Sequence, residues 1–187
     1  MNSIQWETLF CHSEQWVAWI TLNRPAAQNR VNLQMATELR DVCRRIGQDD
    51  GVRVVVVTGA GDTFCAGDEN TSSILEPELS VGEIISYMEL RRTAGILGGI
   101  EKPVVVAVNG DALGHGLEMA LACDIRIAAA NAQLGLPQIT YGTMPWDGGT
   151  QLLPRVVGRA CATDLLLTGR VIDSAEALRI GLVHQVT

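Results

Sequence analysis

One stretch indicates the architecture of this chain most directly: Asn109-Gly110-Asp111-Ala112-Leu113-Gly114-His115-Gly116-Leu117-Glu118. The apolar run at 104–108 before it is typical of a buried strand, and its glycines indicate a tight turn. A helix should begin after the turn, with Glu118 in its first turn. The unpaired N–H groups at the start of a helix attract negative oxygen atoms. The stretch therefore predicts a site for an anionic oxygen beside a carboxylate.

Four other segments carry motifs that accompany this stretch. They are residues 21–25 (Thr-Leu-Asn-Arg-Pro), 58–68 (Thr-Gly-Ala-Gly-Asp-Thr-Phe-Cys-Ala-Gly-Asp), 141–155 and 167–177. In this order they resemble the signatures of the crotonase superfamily, the enoyl-CoA hydratases and isomerases. The pattern of that family at the central stretch is Asn-Gly-x-Ala-x-Gly-Gly-Gly-x-Glu. The resemblance covers nearly the whole chain.

Composition and periodicity alone predict an α/β chain with a mostly parallel sheet. The resemblance narrows the fold class to a crotonase-like spiral of repeated ββα units, with residues 1–187 forming one core domain. Members of the family are usually longer, and their additional part is a C-terminal helical region that covers the active site and helps to form trimers. We expect that region to be absent here, and we expect a homo-oligomer, either a trimer or a hexamer.

Composition also limits the classes of partner. With 47% hydrophobic and 19% charged residues, the chain can bury a full core, and no apolar run is long enough to span a membrane. The net charge of -7 argues against a nucleic-acid partner. Five cysteines without a Cys-x-x-Cys pair fit free thiols in a reducing, cytoplasmic location. Arg24 and Arg30 are candidates for binding a coenzyme A tail, unless both are solvated surface arginines.

The resemblance implies a reaction on an acyl-coenzyme A thioester, with coenzyme A as part of the substrate and no separate cofactor. The thioester oxygen gains negative charge as an enolate, and two backbone N–H groups stabilise it. Carried over by motif, these donors are the amides of Ala66 and His115. His115 departs from the family, which usually has glycine at this position, and its imidazole should project near the substrate.

Glu118 is the main candidate for acid/base catalysis, and a carboxylate favoured only by the helix dipole is the alternative. The hydratases of the family have a second glutamate, and Gln138 stands at the matching position here. An amide cannot usefully transfer a proton, but it can hold a water molecule or a carbonyl group. Gln138 is therefore expected to be a positioning group.

Asp147 is the candidate for the second acid/base group, and it is equally suited to be the N-cap of the helix that follows it. His115, Glu118 and Asp147 together suit an acid/base cluster; alternatively, only the amide of His115 matters. His115 and Glu118 lie at i, i+3 without further His or Cys ligands, so no metal site is expected.

Coenzyme A is expected to lie along two segments by motif position, Ala26-Ala27-Gln28 and Ala66-Gly67-Asp68-Glu69-Asn70. Gly114 and Trp146 are expected on the substrate side of the site. Trp146 suits either the wall of an apolar acyl pocket or a place in the core.

Three functions fit these residues. The first is hydration or isomerisation of an unsaturated acyl-CoA. The second is hydrolysis of a C–C or thioester bond, since a β-diketone hydrolase of this superfamily resembles the chain in having a histidine in the glycine-rich turn and an aspartate in the later loop. The third is a non-catalytic core that binds acyl-CoA or a partner subunit.

The periodicity of apolar residues predicts the main helices and strands. The expectations are strands at 4–9 and 16–22 with a hairpin turn at 12–15, a helix from 33 to about 46 capped by Asn32, a loop at 70–80, one helix at 81–97, and two separate helices at 148–153 and 160–167.

Overall fold

Two β-sheets and a set of packed helices make up the chain. The computed structural model describes residues 4–69 and 80–187. The strands in this part of the chain are β1 (Ile4–Gln5), β2 (Leu9–Glu14), β3 (Val17–Leu22), β4 (Val54–Gly59), β5 (Thr63–Cys65), β6 (Val104–Val108), β7 (Asp111–Leu113), β8 (Ile125–Ala128), β9 (Gln133–Gly135), β10 (Val171–Asp173) and β11 (Gln185–Val186). The α-helices are α1 (Leu33–Gly47), α2 (Val81–Leu90), α3 (Ala94–Gly98), α4 (His115–Ala122), α5 (Gly149–Thr168) and α6 (Ser174–Arg179). Short 3-10 helices lie at Pro25–Ala27 and Pro137–Tyr141.

Successive strands are divided between the two sheets. The larger sheet has the order β1-β2-β3-β4-β6-β8-β11, and the smaller has the order β10-β9-β7-β5. The pairs β4/β5, β6/β7 and β8/β9 each place one strand in either sheet and are each followed by a helix. From β3 onward, neighbours in the larger sheet run parallel. This arrangement confirms the predicted α/β spiral of ββα units.

Helix α1 shows how the core is built from the sequence pattern. Its residues Met35, Leu39, Val42 and Ile46 recur at helical spacing and are fully buried in the core. As predicted, the side chain of Asn32 caps this helix, because its Oδ1 accepts a hydrogen bond of 2.8 Å from the amide of Met35.

Helix α4 lies inside the molecule, and seven of its eight residues are buried. It follows the β6–β7 turn and packs against both α3 and α5. A helix enclosed on all sides can hold charged side chains only when neighbouring groups compensate their lost hydration. The His115 and Glu118 side chains of α4 must therefore be satisfied by the surrounding elements.

Three predictions of local structure were wrong. The hairpin turn lies at Gln15-Trp16, which adopt positive φ values of 49° and 71°, because β2 continues through the residues expected to turn. The helix expected at 81–97 is divided into α2 and α3. The helices expected at 148–153 and 160–167 extend toward each other and meet at a kink at Gly158, whose φ of 78° and ψ of 160° are not helical.

The loop expected at 70–80 falls outside the described residues except for Ser80. Ser80 is the N-cap of α2 and forms a capping box with Glu83. Within residues 4–69 and 80–187, no helix is both long enough and apolar enough to cross a membrane.

Candidate active site

A cavity of about 350 Å³ opens at the start of α4. One side of it is polar and includes Asp68, His115 and Gln138. The other side consists largely of apolar and aromatic side chains. The complete lining is Arg30, Ala66, Gly67, Asp68, Met88, Gly114, His115, Gln138, Tyr141, Gly142, Thr143, Met144 and Trp146. Apolar walls with a few convergent polar groups are typical of a small-molecule site.

Two glycines allow the backbone at the start of α4 to reach this cavity. Gly114, the N-cap residue, has a φ of 52°, a conformation that side chains disfavour. A Cβ atom at Gly116 would overlap the carbonyl oxygen of Cys65, so only glycine lets α4 approach β5 this closely. As a result, the amide of His115 is the first N–H of α4 at the edge of the cavity, where a helix attracts negative oxygen.

The amide of Ala66 does not fit the predicted role as the second donor. It donates a hydrogen bond of 3.0 Å to the carbonyl oxygen of Gln28, so it is already engaged. The peptide group between Gly67 and Asp68 is better oriented. The carbonyl oxygen of Gly67 accepts a hydrogen bond of 2.8 Å from Val31. Because a trans peptide group points its C=O and N–H in opposite directions, the N–H of Asp68 points away from Val31.

The backbone at Gly67 is also close to the start of α4. A Cβ atom built on Gly67 would lie 4.0 Å from the amide nitrogen of His115, and one built on Gly114 would lie 3.9 Å from the Cα of Gly67. The two glycine-containing segments therefore approach each other at the cavity, with the amides of Asp68 and His115 on neighbouring stretches of backbone.

Glu118 is fully buried behind Gln138 and is not part of the cavity lining. Its Oε1 accepts hydrogen bonds from the amides of Asp147 (2.8 Å) and Gly149 (2.9 Å), while its Oε2 lies 3.4 Å from Nε2 of Gln138. Burial raises the pKa of Glu118 to about 7, although the charge of His115 and the two amides partly oppose this rise. Glu118 therefore holds the beginning of α5 with one oxygen and can take up or release a proton near neutral pH with the other.

Gln138 connects Glu118 to the cavity. It belongs to the 3-10 helix Pro137–Tyr141 and is buried, with its Nε2 directed to Glu118. Its Oε1 is buried and has no hydrogen-bond partner within the described part of the chain. A buried acceptor without a donor costs free energy, so this oxygen is suited to receive a hydrogen bond from a water molecule or a substrate.

Asp147 and Thr93 both contact the Nε2 atom of the His115 imidazole. Its Nε2 lies 2.9 Å from Oδ2 of Asp147 and 2.8 Å from the hydroxyl oxygen of Thr93. Burial opposes a charge on the imidazole, but the contacts with Asp147 and Asp68 and the charge of Glu118 outweigh it, raising the pKa of His115 to about 9. Burial likewise favours the neutral form of Asp147, yet its hydrogen bond and attraction to His115 and the amides that it binds hold its pKa below the usual value. The structure therefore assembles the His115–Glu118–Asp147 cluster that the sequence suggested.

Asp147 does not cap the helix that follows it, contrary to one prediction. The N-cap of α5 is Gly148, and the carboxylate of Asp147 turns away from α5 to accept hydrogen bonds of 2.7 Å from the amides of Thr93 and Ala94. These bonds begin α3 and explain why the helix expected at 81–97 is interrupted. Thr93 lies 54 residues from Asp147 in the sequence, and no local motif pointed to it.

Asp68 takes part in the polar cluster as well, although the motif suggested only a place along coenzyme A. Its Oδ2 lies 3.6 Å from Nδ1 of His115, slightly beyond hydrogen-bond distance. The hydroxyl of Tyr87 donates a hydrogen bond of 3.1 Å to its other oxygen. No sequence pattern indicated that Tyr87 of α2 would reach this cluster.

The segments expected along coenzyme A are adjacent in space. Gln28 is joined to Ala66 by the backbone hydrogen bond described above, and Ala26 and Ala27 lie in the preceding 3-10 helix. Of the two candidate arginines, Arg30 lines the cavity, whereas Arg24 binds Glu69 at 2.8 Å and the backbone of Arg30. Asn70 lies outside the described residues.

Trp146 and Gly114, which were expected on the substrate side of the site, both line the cavity. The indole ring of Trp146 meets the imidazole of His115 edge-on, with 4.8 Å between ring centroids. No group of three or more potential metal ligands occurs among residues 4–69 and 80–187.

Comparison with known proteins gives a consistent assignment. The family described as enoyl-CoA hydratase/isomerase matches residues 12–187. Crotonyl-CoA hydratase of Syntrophomonas wolfei is 40% identical over 190 residues, covering 97% of this chain and 69% of that protein. (E)-benzylidenesuccinyl-CoA hydratase of Thauera aromatica is 42% identical over 173 residues, covering 91% of this chain and 66% of that protein.

Solved structures agree with the sequence comparison. The crystal structure of an enoyl-CoA hydratase from Bacillus anthracis superimposes with a TM-score of 0.89 at 36% identity, covering 97% of this chain and 70% of that one. The chain thus spans about two thirds of the length of the proteins it resembles. It belongs to the enoyl-CoA hydratase/isomerase family.

Proposed function

We propose that this enzyme adds water across the double bond of an enoyl-CoA thioester. The observation that carries the proposal is the pair formed by Glu118 and Gln138. Gln138 lines the polar side of the cavity and Glu118 lies 3.4 Å behind it. Glu118 can take a proton, and Gln138 has an unsatisfied acceptor oxygen. Two similar proteins are named as hydratases of crotonyl-CoA and (E)-benzylidenesuccinyl-CoA.

The thioester carbonyl oxygen is placed between the amides of Asp68 and His115. Both amides belong to backbone segments that line the cavity, and the His115 amide also carries the positive end of the α4 dipole. Negative charge develops on this oxygen when water attacks the β-carbon (Cβ) of the enoyl group and the thioester becomes an enolate. Donors fixed before the reaction stabilise that charge, and each is typically worth about 3–4 kcal/mol.

The attacking water is placed between Glu118 and Gln138. The Oε1 of Gln138 accepts one hydrogen of this water, and Oε2 of the ionised Glu118 accepts the other. As the oxygen bonds to Cβ, Glu118 takes the proton. The raised pKa of Glu118, about 7, suits this transfer, because a general base works best when its pKa is near the working pH.

The acyl group is placed against the apolar side of the cavity. Met88, Tyr141, Met144 and Trp146 form this wall and exclude water from the enolate. The identity of the acyl group, a role in fatty acid metabolism, a cytoplasmic location and assembly into a trimer or hexamer stay predictions.

Loss of the conjugated thioester absorbance tests the proposal with crotonyl-CoA and aromatic enoyl-CoAs as substrates. We expect turnover by the wild-type protein and almost none by Glu118→Gln. The matched control is Glu38→Gln, since Glu38 is another buried glutamate but bonds to Thr8, away from the cavity. If the wild-type protein binds these thioesters without turnover, hydration is excluded, and the hydrolase and the non-catalytic alternatives remain.

Hydrolysis of a C–C or thioester bond is the second candidate, and the His115–Asp147 contact of 2.9 Å favours it. A histidine paired with a carboxylate can activate a water molecule for attack on a carbonyl carbon. In that case Asp147→Asn should abolish release of free coenzyme A or the cleaved acid, while Glu118→Gln should retain part of it. Hydration predicts the reverse order of sensitivity.

A further inference from the structure

Hydration requires two proton transfers, and this site has one glutamate positioned for them. Glu118 takes a proton from water, and Cα of the enolate must then receive a proton. Gln138 lies beside Glu118 but carries no transferable proton. The residues that line the cavity include four with ionisable side chains, Arg30, Asp68, Tyr141 and His115.

Three of these four are poorly suited to protonate the enolate. Arg30 can offer the enolate only hydrogen bonds from its guanidinium group. Burial raises the pKa of Tyr141 above its ordinary value, so its phenol is a weaker acid than usual. Asp68 accepts a hydrogen bond from Tyr87 and faces Nδ1 of His115, so its carboxylate is suited to support the imidazole rather than to act as the acid. His115 remains as the group that can hold a proton and release it.

The orientation of the imidazole places one ring nitrogen toward the substrate. Nε2 faces Asp147 and Thr93, and neither of these residues lines the cavity. Nδ1 is on the side of Asp68, which does line the cavity, and it has no hydrogen-bond partner among the described residues. The Nδ1 edge of a ring that is 2% exposed is therefore directed to the cavity.

We propose that His115, held by Asp147, is the second proton-transfer residue of the site and delivers the proton from Nδ1 to Cα of the enolate. The inference rests on the proposed hydration. It assigns to an imidazole–carboxylate pair the part that a second glutamate would play, and it gives the histidine in this glycine-rich turn a catalytic use.

The charges around the ring suit an imidazolium ion. Asp147 meets Nε2, Asp68 faces Nδ1 at 3.6 Å, and Glu118 lies on the same helix one turn away. Two groups moderate these carboxylates: the Tyr87 hydroxyl bonds to Asp68, and Arg92 lies 3.6 Å from the second oxygen of Asp147. The three carboxylates around the imidazole favour the protonated ring, in agreement with its raised pKa.

The proton balance closes over one turnover. Water gives its proton to Glu118 and its oxygen to Cβ, and the C=C electrons pass to the thioester oxygen. When the carbonyl re-forms, these electrons bond Cα to the Nδ1 proton, leaving His115 neutral and Glu118 protonated. Glu118 then loses its proton to solvent and His115 regains one, which restores the starting state without any other reactant.

The test combines His115→Asn with Gln138→Glu. We expect His115→Asn to lower kcat for enoyl-CoA hydration about 100-fold or more and to remove the alkaline limb near pH 9 from the pH profile. Adding Gln138→Glu to this variant supplies a second carboxylate beside Glu118 and should recover at least about tenfold of the loss, as expected for a restored acid/base group. His12→Asn, outside the cavity, is the matched control and should retain wild-type kcat. If His115→Asn does not fold, His115→Gln replaces it, because its longer amide can still donate to Asp147.

Two results would overturn the inference. One is a His115 variant that keeps kcat and the alkaline limb. The other is a variant that loses activity but is not recovered by Gln138→Glu and keeps the alkaline limb in its residual rate, which would mean a structural role. In both cases the proposed hydration still stands if the wild-type protein turns over and Glu118→Gln does not. A wild-type protein without hydratase activity overturns both proposals together.

Discussion

The two sides of the cavity are built in different ways. On the polar side, His115 and Gln138 line the cavity, and Glu118 and Asp147 lie directly behind them. These four residues are each at most 5% exposed and are linked through side-chain and backbone hydrogen bonds. The apolar side is more exposed to solvent. Met144 is 62% exposed, and Met88 lies on α2, a helix without a single buried residue in its described range.

This difference separates the chemistry from the choice of substrate. Buried polar groups tolerate little rearrangement, because each depends on a partner to replace lost hydration. The polar side therefore holds the reacting groups in place, but a change in any one of them is expected to disturb its partners. The exposed apolar side contributes contact area for the acyl group. Substitutions there should alter the affinity for particular acyl groups and leave the chemical step intact.

The largest expected effect is that of Glu118→Gln on catalysis. We expect kcat to fall on the order of 10² to 10⁴-fold, because the base that takes the proton from water is lost. The fold should be retained, since the amide oxygen of glutamine can still accept hydrogen bonds from Asp147 and Gly149. Stopped-flow absorbance gives kcat, and circular dichroism checks the fold. A loss below tenfold would remove Glu118 from the mechanism.

The second expected effect is that of Asp147→Asn. The amide oxygen of asparagine can still cap α3, but the negative charge beside His115 disappears and burial then dominates the ring. The pKa of His115 should fall, moving the alkaline limb of the kcat profile to lower pH, and kcat at pH 8 should drop about 10- to 100-fold. An alkaline limb that stays near pH 9 would show that Asp147 does not control the imidazole.

A third prediction concerns the stability cost of the polar side. Folding raises the pKa of Glu118 from 4.5 to about 7, so the folded chain binds this proton more tightly than the unfolded chain. The stability that the protonated carboxyl contributes is full below pH 4.5 and is lost as the pH rises through 7. Glutamine does not titrate. The free energy of unfolding of Glu118→Gln relative to wild type should therefore increase from pH 5 to pH 8, by at most about 3 kcal/mol.

Urea unfolding of both proteins at pH 5, 6.5 and 8 measures this difference. The pKa of His115 falls when the Glu118 charge is removed, which changes the difference in the same direction. The other titrating groups are common to the two proteins, so their contributions largely cancel. A difference that is constant with pH would mean that the buried carboxyl titrates as it does in the unfolded chain.

The sequence predicted the features that arise within one segment. The strand, glycine turn and helix around Glu118 follow from a local pattern, and so does the Asn32 cap of α1. The motifs also suggested the cluster of His115, Glu118 and Asp147, which the structure brings together. These predictions succeeded because the short-range pattern and the tertiary structure favour the same conformation.

The features that escaped prediction depend on distant contacts. Asp147 was a reasonable cap for its own helix, but its carboxylate binds two amides at the start of α3, while Glu118 binds the amides at the start of α5. The bonds from Asp147 interrupt the single helix that the periodicity predicted over 81–97, and they place Thr93 beside His115. The Ala66 amide likewise was excluded as a donor to the thioester oxygen only by its hydrogen bond to Gln28, a residue distant in the sequence.

The smallest effect is expected on the apolar side, for Met88→Ala. The partly buried methionine contributes about 1 kcal/mol of contact to a bulky acyl group, so KM for an aromatic enoyl-CoA should rise roughly fivefold while kcat is unchanged. Ile84→Ala is the matched control, because Ile84 is equally part-buried on α2 but does not line the cavity. Initial rates with crotonyl-CoA and an aromatic enoyl-CoA provide the measurement. An equal loss of kcat for both substrates would mean that α2 also holds the catalytic side through Tyr87 and Asp68, and the division of roles between the two sides would no longer hold.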